Sequence, residues 1–340
     1  MLLNRRQLLG SAAASASALT LGLSSRSAFA QAQAPLNVKL NWIKNVQYAG
    51  LWIAFEDGYF ANEGLDVSVQ AGGPNTPQSV VTVAAGADDI GYSAWLPFLD
   101  AIRQGNDFVA FAATYPRAPL GIISLPGKPI VKAGDIVGSK ILAQGASQKS
   151  AIEATLALAG LPNTWEMVPA GYSPEPLLAG EGEGFTGYST NEAVALEQMG
   201  MVRGKDFFFT SFDELGYRSY GAVLFAKRSL ITEQRDKIVG FTRALVRGWT
   251  KNEGDPDYAA HLAVDKYGVD YGLDTGQQRQ QATAQLDLLK AGDGRRLLAL
   301  DVDEIAGPMF AAANATGRVD LPDAASIVDL SIVEDAHVSL

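Results

Sequence analysis

Between Leu36 and Ala113 the chain switches repeatedly between two hydrophobic periods. "LNVKL", "LDVSV", "DIGYS" and "DFVAFAA" read as strands, and "QYAGLWIAFED", "TPQSVVTVAAG" and "AWLPFLDAIRQG" between them read as helices. Strands separated by helices of about ten residues imply a parallel sheet with crossover helices. After "TYPRAP" the pattern restarts. "LGIISL", "KILAQ", "WEMVPA" and "GFTGYS" are strand-like, "SQKSAIEATLALAG" is a helix stopped by Gly160, and "TNEAVALEQMG" is a helix with Thr190 as its expected N-cap. One more strand, "YGAVLFAK", leads into text that is mostly helical to the end. The reading is two α/β units followed by a helical tail. Ligands of such sheets bind beyond the carboxyl ends of the strands, so the crevice between the units is the expected site.

The opening thirty residues follow other rules. Arg5-Arg6, the small apolar run "SAAASASALTLGL" and the small residues Ala28 and Ala30 make an export signal, with cleavage expected after Ala30. The arginine pair followed by Leu8 and Leu9 resembles a twin-arginine signal. No run after residue 35 approaches the length of a membrane span. The chain has no Cys, hence no disulfide and no acceptor for a lipid anchor. Removing Arg5, Arg6 and Arg26 from the 27 Lys+Arg leaves 24 against 37 Asp+Glu, a charge near −13 that repels nucleic acid.

Catalytic and metal chemistry find few residues. Only His261 and His337 are present, and without Cys a Cys/His zinc site cannot form. Neither a G-x-S-x-G elbow nor a phosphate-binding G-x-x-x-x-G-K-[ST] loop occurs. "AGEGEGFTG" places its glycines before a strand, whereas a dinucleotide loop follows one. The acid clusters Asp88-Asp89 and Asp301/Asp303/Glu304 sit where strand entry and helix capping favour carboxylates. No catalytic residue, metal or cofactor is expected.

"AFEDGYFANEGLDVSV" is the most specific text in the sequence. Its E-x-G-Y-F-x-x-x-G-L-x-V pattern, from Glu56 to Val67, resembles bacterial ABC-transporter substrate-binding proteins for thiamine-pyrimidine precursors, nitrate, taurine and sulfonates. "GGPNTPQSVVTVAAGADDIGYS", "ILAQGASQKSAIEATLALAGL" and "YGAVLFAKRSLI" extend the resemblance over essentially the whole chain after the signal. It implies an α/β, two-lobed periplasmic-binding-protein clamshell of type II, each lobe a mostly parallel sheet flanked by helices. Residues 31–118 and 218–340 would form lobe one, and 119–217 lobe two. It also implies that a small molecule is handed to a membrane permease; with the export signal and no Cys for a lipid anchor, a monomer free in the periplasm is expected. A relative of this fold, the fungal thiamine pyrimidine synthase, is an enzyme that consumes its own histidine. Its N-x-N-H-x-G text aligns with Asn45 to Gly50, where Tyr48 stands at the histidine position. A binder, not an enzyme, is therefore expected.

The family's cleft positions fall at strand ends and helix starts. In lobe one these are Asn41, Trp42, Gln47 and Tyr48, then Asn75 and Thr76 of "GGPNT", then Ser93 and Trp95, with Tyr115 near the hinge. Lobe two adds Gln144 and Ser147, then Tyr188, Asn191 and Glu192. Trp52 and Phe55, one and two turns beyond Tyr48, are expected in the core. Aromatic and amide groups with few cations suit a flat, polar, largely neutral ligand. A pyrimidine-like nitrogen heterocycle is the expectation, with a flavin-type metabolite or a sulfonate, taurine or nitrate as alternatives.

Overall fold

The computed structural model describes residues 33–290, 295–338 and 340, so the expected signal over residues 1–30 lies outside them. Two five-stranded sheets organise these residues. The first contains β1 (Ala34–Lys39), β2 (Leu65–Gln70), β3 (Ile90–Ser93) and β4 (Phe108–Thr114). The second contains β5 (Leu120–Ser124), β6 (Lys140–Ala143), β7 (Glu166–Pro169), β8 (Gly184–Tyr188) and β9 (Phe208–Ser211). β10 (Ala222–Lys227) returns to the first. The orders are β2-β1-β3-β10-β4 and β7-β6-β8-β5-β9.

The first three strands of each order are parallel, as the strand–helix alternation predicts. The fourth is antiparallel to both its neighbours: β10 between β3 and β4, and β5 between β8 and β9. In both cases it is the strand that has just arrived from the other lobe. A chain crossing the gap enters the next sheet at the carboxyl ends of its parallel strands, and must run away from the gap. The sheets are therefore mixed where the sequence pattern suggests a parallel one. β9 is a strand beyond those that the sequence pattern suggests.

The connecting segments 115–119 and 212–221 run side by side. Gly221 donates its N–H to the Tyr115 carbonyl at 3.1 Å, and Ala118 to that of Ser219 at 2.8 Å. Tyr115 adopts φ 36°, a left-handed conformation uncommon for an aromatic residue, and its ring lies against Gly221, where a Cβ would be 3.1 Å from the tyrosine Cβ.

The helix Ala49–Glu56 begins at the mouth of the crevice and packs along the long helix Arg235–Gly254. Two glycines make that approach possible. A methyl at Gly248 would run into the carbonyl oxygen of Gly50 and lie 2.8 Å from its carbon, and a methyl at Gly50 would meet the Trp249 ring at 2.5 Å. Trp52 is buried, as expected, stacked on Tyr267 at 4.6 Å and donating its indole N–H to the Asn45 carbonyl at 2.7 Å. Phe55 is partly buried against the same cluster.

The C-terminal helices do not sit on the first sheet alone. Thr275–Ala284 packs against both the Val46–Tyr48 turn and the second-sheet helix Glu192–Gln198. Phe310–Ala315 packs against Ala146–Leu158. One apolar cluster runs continuously from Phe98 and Phe225 through Met309 and Ala312 to Ile152 and Leu156.

Candidate functional site

A cavity of about 240 Å³ opens between the two sheets, at the carboxyl ends of their parallel strands. Ten of the fourteen residues expected at the crevice line it: Asn41, Trp42 and Gln47; Asn75 and Thr76; Gln144 and Ser147; Tyr188, Asn191 and Glu192.

On the first-sheet side the chain leaves β1 and makes a 3₁₀ turn, Val46–Tyr48. Asn45 caps it by accepting the Gln47 N–H at 3.0 Å. Asn75 takes φ 64°, as asparagine tolerates better than most residues, and Thr76 closes the turn by donating its hydroxyl to the Gly73 carbonyl at 2.9 Å. On the second-sheet side Gln144 donates to the Thr186 carbonyl at 2.8 Å while its Oε1 accepts the Thr186 hydroxyl at 2.7 Å. That reciprocal pair fixes the Gln144 amide facing the cavity.

Four expected wall residues require correction. Tyr48, Ser93, Trp95 and Tyr115 are all buried and none lines the cavity. Tyr48 packs edge-on against Trp52 and Tyr92 and donates its hydroxyl to Asn41 Oδ1 at 2.7 Å, so it stands behind a cavity amide. Tyr115 likewise stands behind Gln47, donating to Gln285 Oε1 at 2.8 Å and lying 3.4 Å from the Gln47 carbonyl. Ser93 turns its hydroxyl to the Ala94 carbonyl. Trp95, at the first position of its helix, folds back into the apolar cluster against Phe98 and Phe310, and Ala94 takes its place at the wall. Strand-end position alone does not say which way a ring turns.

The sequence reading missed the crossing segment as a wall. Phe212, Tyr217 and Tyr220 line the cavity, as do Gln78, Gln148 and Thr186. The aromatic-rich "FDELGYRSYG" before β10 is the signal that could have found the first three. Tyr188 reaches across to donate its hydroxyl to the Gly221 carbonyl at 3.2 Å.

Glu192 is the only acidic or basic side chain lining the cavity among the described residues. It opens the helix Glu192–Gln198 and is 4% exposed. The N-cap is Asn191 and not Thr190, and it makes no side-chain cap bond. Its amide instead donates to Glu192 Oε1 at 2.8 Å and accepts from Gln277 Nε2 at 2.7 Å. The Tyr188 N–H donates to Glu192 Oε2 at 2.7 Å. Burial raises the proton affinity of this carboxyl, and hydrogen bonds from the Tyr188 backbone, its own backbone and the Asn191 amide only partly oppose it, leaving a pKa of about 7. Near neutral pH it can therefore donate or accept.

Comparison with known proteins gives the following. A family model described as NMT1/THI5 like matches residues 45–259. The formylaminopyrimidine-binding protein of Halalkalibacterium halodurans is 25% identical over 239 residues, covering 67% of this chain and 69% of that protein. The alkanesulfonate-binding protein SsuA from Xanthomonas axonopodis pv. citri, solved with MOPS bound, superposes with a TM-score of 0.63 at 15% identity, over 87% of this chain and 98% of that one. A desulfurization enzyme, DSZB, superposes with a TM-score of 0.57 at 15% identity, over 90% of this chain and 99% of that one. The two-lobed periplasmic-binding-protein fold is thus shared by binders and by an enzyme.

Proposed function

The chain belongs to the NMT1/THI5-like family, and on that premise we propose that it is the solute-binding component of an ABC importer, capturing an aminopyrimidine-class heterocycle between its lobes. Glu192 carries this reading. A carboxyl and an aminopyrimidine edge make two hydrogen bonds when one proton lies between them: the exocyclic amine donates to one oxygen, and the shared proton joins the other oxygen to a ring nitrogen. A buried carboxyl with a pKa of about 7 suits that exchange. Trp42, Tyr188, Phe212, Tyr217 and Tyr220 offer flat apolar surface, and Gln47, Gln144 and Asn75 offer edge contacts.

The alternatives fit less well. No Lys or Arg lines the cavity among the described residues, so a sulfonate, taurine or nitrate would meet Glu192 with no cation beside it. About 240 Å³ is below the ~300–1,000 Å³ of sites for drug-sized ligands, which favours one ring over a flavin. For an enzymatic role, no Ser, Thr or Tyr hydroxyl of the lining donates to a carboxylate or His that would activate it as a nucleophile among the described residues. The H. halodurans relative, named for a formylaminopyrimidine, supports the ligand class. We further take the lobes to divide at segments 115–119 and 212–221, and the protein to work as a periplasmic monomer with a membrane permease. The export-signal pattern supports that location, and no helix among the described residues is long and apolar enough to cross a membrane.

Calorimetric titration with a formylaminopyrimidine, taurine and riboflavin between pH 5.5 and 9 tests the reading. The formylaminopyrimidine binds, taurine and riboflavin do not, and affinity falls about tenfold per pH unit above the Glu192 pKa as the shared proton is lost. Recovered ligand keeps its mass in mass spectrometry. Tighter binding of taurine, or affinity flat to pH 9, overturns the aminopyrimidine assignment, and a changed mass overturns the binder.

A further inference from the structure

We propose that Gln277, on the C-terminal helix Thr275–Ala284, is a positioning residue for Glu192: a relay of side-chain amides running from lobe one into lobe two aims a hydrogen-bond donor at the ligand-reading carboxyl. The inference rests on the role given to Glu192 above.

The relay begins at a group that cannot flip. The Val46 backbone N–H donates to Gln278 Oε1 at 2.8 Å. An amide whose oxygen is so engaged must present its NH2 elsewhere, and Gln278 Nε2 donates to Gln277 Oε1. Gln277 is oriented in turn, and its Nε2 donates to Asn191 Oδ1 at 2.7 Å. Asn191 is then left with its NH2 toward Glu192 Oε1 at 2.8 Å. Each amide passes its polarity to the next, and a backbone group sets the sign. Gln277 and Gln278 are both buried, at 9% and 0% exposure, so water competes poorly for these positions.

The relay crosses between lobes at one contact. Val46, Gln277 and Gln278 lie on the first-sheet side or on the helix seated against it, whereas Asn191 and Glu192 lie at the end of β8. Gln277 also lies 3.3 Å from the Asn191 carbonyl, so both polar ends of that residue rest on it. The titratable groups on the elements meeting here are the Tyr188, Tyr217 and Tyr220 phenols at the cavity, Glu197 paired with Arg203 further along the Glu192 helix, and Asp274 capping the Gln277 helix. On that helix Arg279 is held by Asp257 and His261. None of these charged groups contributes to the Glu192 shift; hydrogen bonds from the Tyr188 and Glu192 backbone and from the Asn191 amide oppose it, and Asn191 is the side-chain lever among them.

The test follows the Glu192 carboxyl carbon by NMR in ligand-free protein, with the resonance identified by its loss in Glu192→Gln. A donor lost from a carboxylate raises its pKa. In Gln277→Met the midpoint rises by about half a pH unit, and in Gln277→Glu by about one unit, because an acceptor there reverses the Asn191 amide and adds charge. In an Asn191→Ala background Gln277→Met moves it no further, which a merely structural role would not produce. Circular dichroism confirms that each variant is folded. The alkaline edge of formylaminopyrimidine binding moves up with the midpoint. An unmoved midpoint in Gln277→Met, or an equal shift with Asn191 removed, overturns the relay. A midpoint that moves while the binding edge stays put leaves the relay standing and overturns the ligand role of Glu192.

Discussion

Replacing Glu192 with glutamine weakens capture of a formylaminopyrimidine by about a hundredfold or more and abolishes the alkaline edge of binding. Two donors, the Tyr188 N–H and the Asn191 amide, converge on the two carboxyl oxygens. A glutamine has one acceptor, so its NH2 must face one of those donors, and the Asn191 amide cannot turn to accommodate it while Gln277 holds its oxygen. A buried donor is left unpaired, at about 1–3 kcal/mol, and the proton shared with the ligand is gone as well. Stability changes in the opposite sense at high pH. The native pKa of about 7 exceeds the ordinary 4.5, so between those values the folded protein holds the extra proton. That contribution is complete below the unfolded value and is lost as pH rises through about 7. A shift of about 2.5 units corresponds to something on the order of 3 kcal/mol. Urea unfolding at pH 5 and pH 8 reads it as a slope in the native protein that flattens in Glu192→Gln. Native-like affinity in the variant would remove Glu192 from the site.

Gly248→Ala should lower stability by about 3 kcal/mol, toward the upper end for overpacking, because the obstructing atom is a backbone carbonyl oxygen and not a side chain that can rotate away. The methyl forces Arg235–Gly254 off Ala49–Glu56, and the latter helix continues directly from the turn that carries Gln47. Ligand affinity should fall with stability. Gly254→Ala, in the same long helix but with nothing within 4 Å of the added carbon, serves as the control and should change little. Thermal unfolding of the three proteins checks this, and equal melting temperatures for Gly248→Ala and the native chain would mean the helices do not cross that closely.

The fold was legible where periodicity is long enough to read. Strand and helix alternate cleanly to Ala113, and the G-Y-F pattern tied that alternation to a family. The antiparallel strands were hidden because direction is a property of where a strand enters a sheet, which local text does not encode. Asn41, Gln47, Gln144 and Glu192, which the family resemblance places at strand ends and helix starts, line the cavity. The same placement failed for Tyr48, Trp95 and Tyr115, whose rings turned inward because apolar clusters behind the wall offered more burial than the cavity. Gln277 and Gln278 had no signal at all. A glutamine-rich stretch reads as solvated, and only contact with Val46 and Asn191, far away in sequence, makes it a buried relay.

The central position of the two crossing strands bears on the order in which the molecule can assemble. The second sheet takes all its strands from one continuous stretch, β5 to β9, and can close as soon as that stretch exists. The first cannot. Its β3 and β4 are joined only through β10, which lies between them, Val223 pairing with Ser93 on one side and Ala113 on the other. Lobe one therefore holds an open slot, with unpaired backbone on both sides, until lobe two has been made and the chain has come back. High sequence separation of this kind slows folding. The middle stretch, Leu120 to Ser211, can complete its sheet by itself, whereas the sheet that begins the sequence waits for a strand from beyond that stretch.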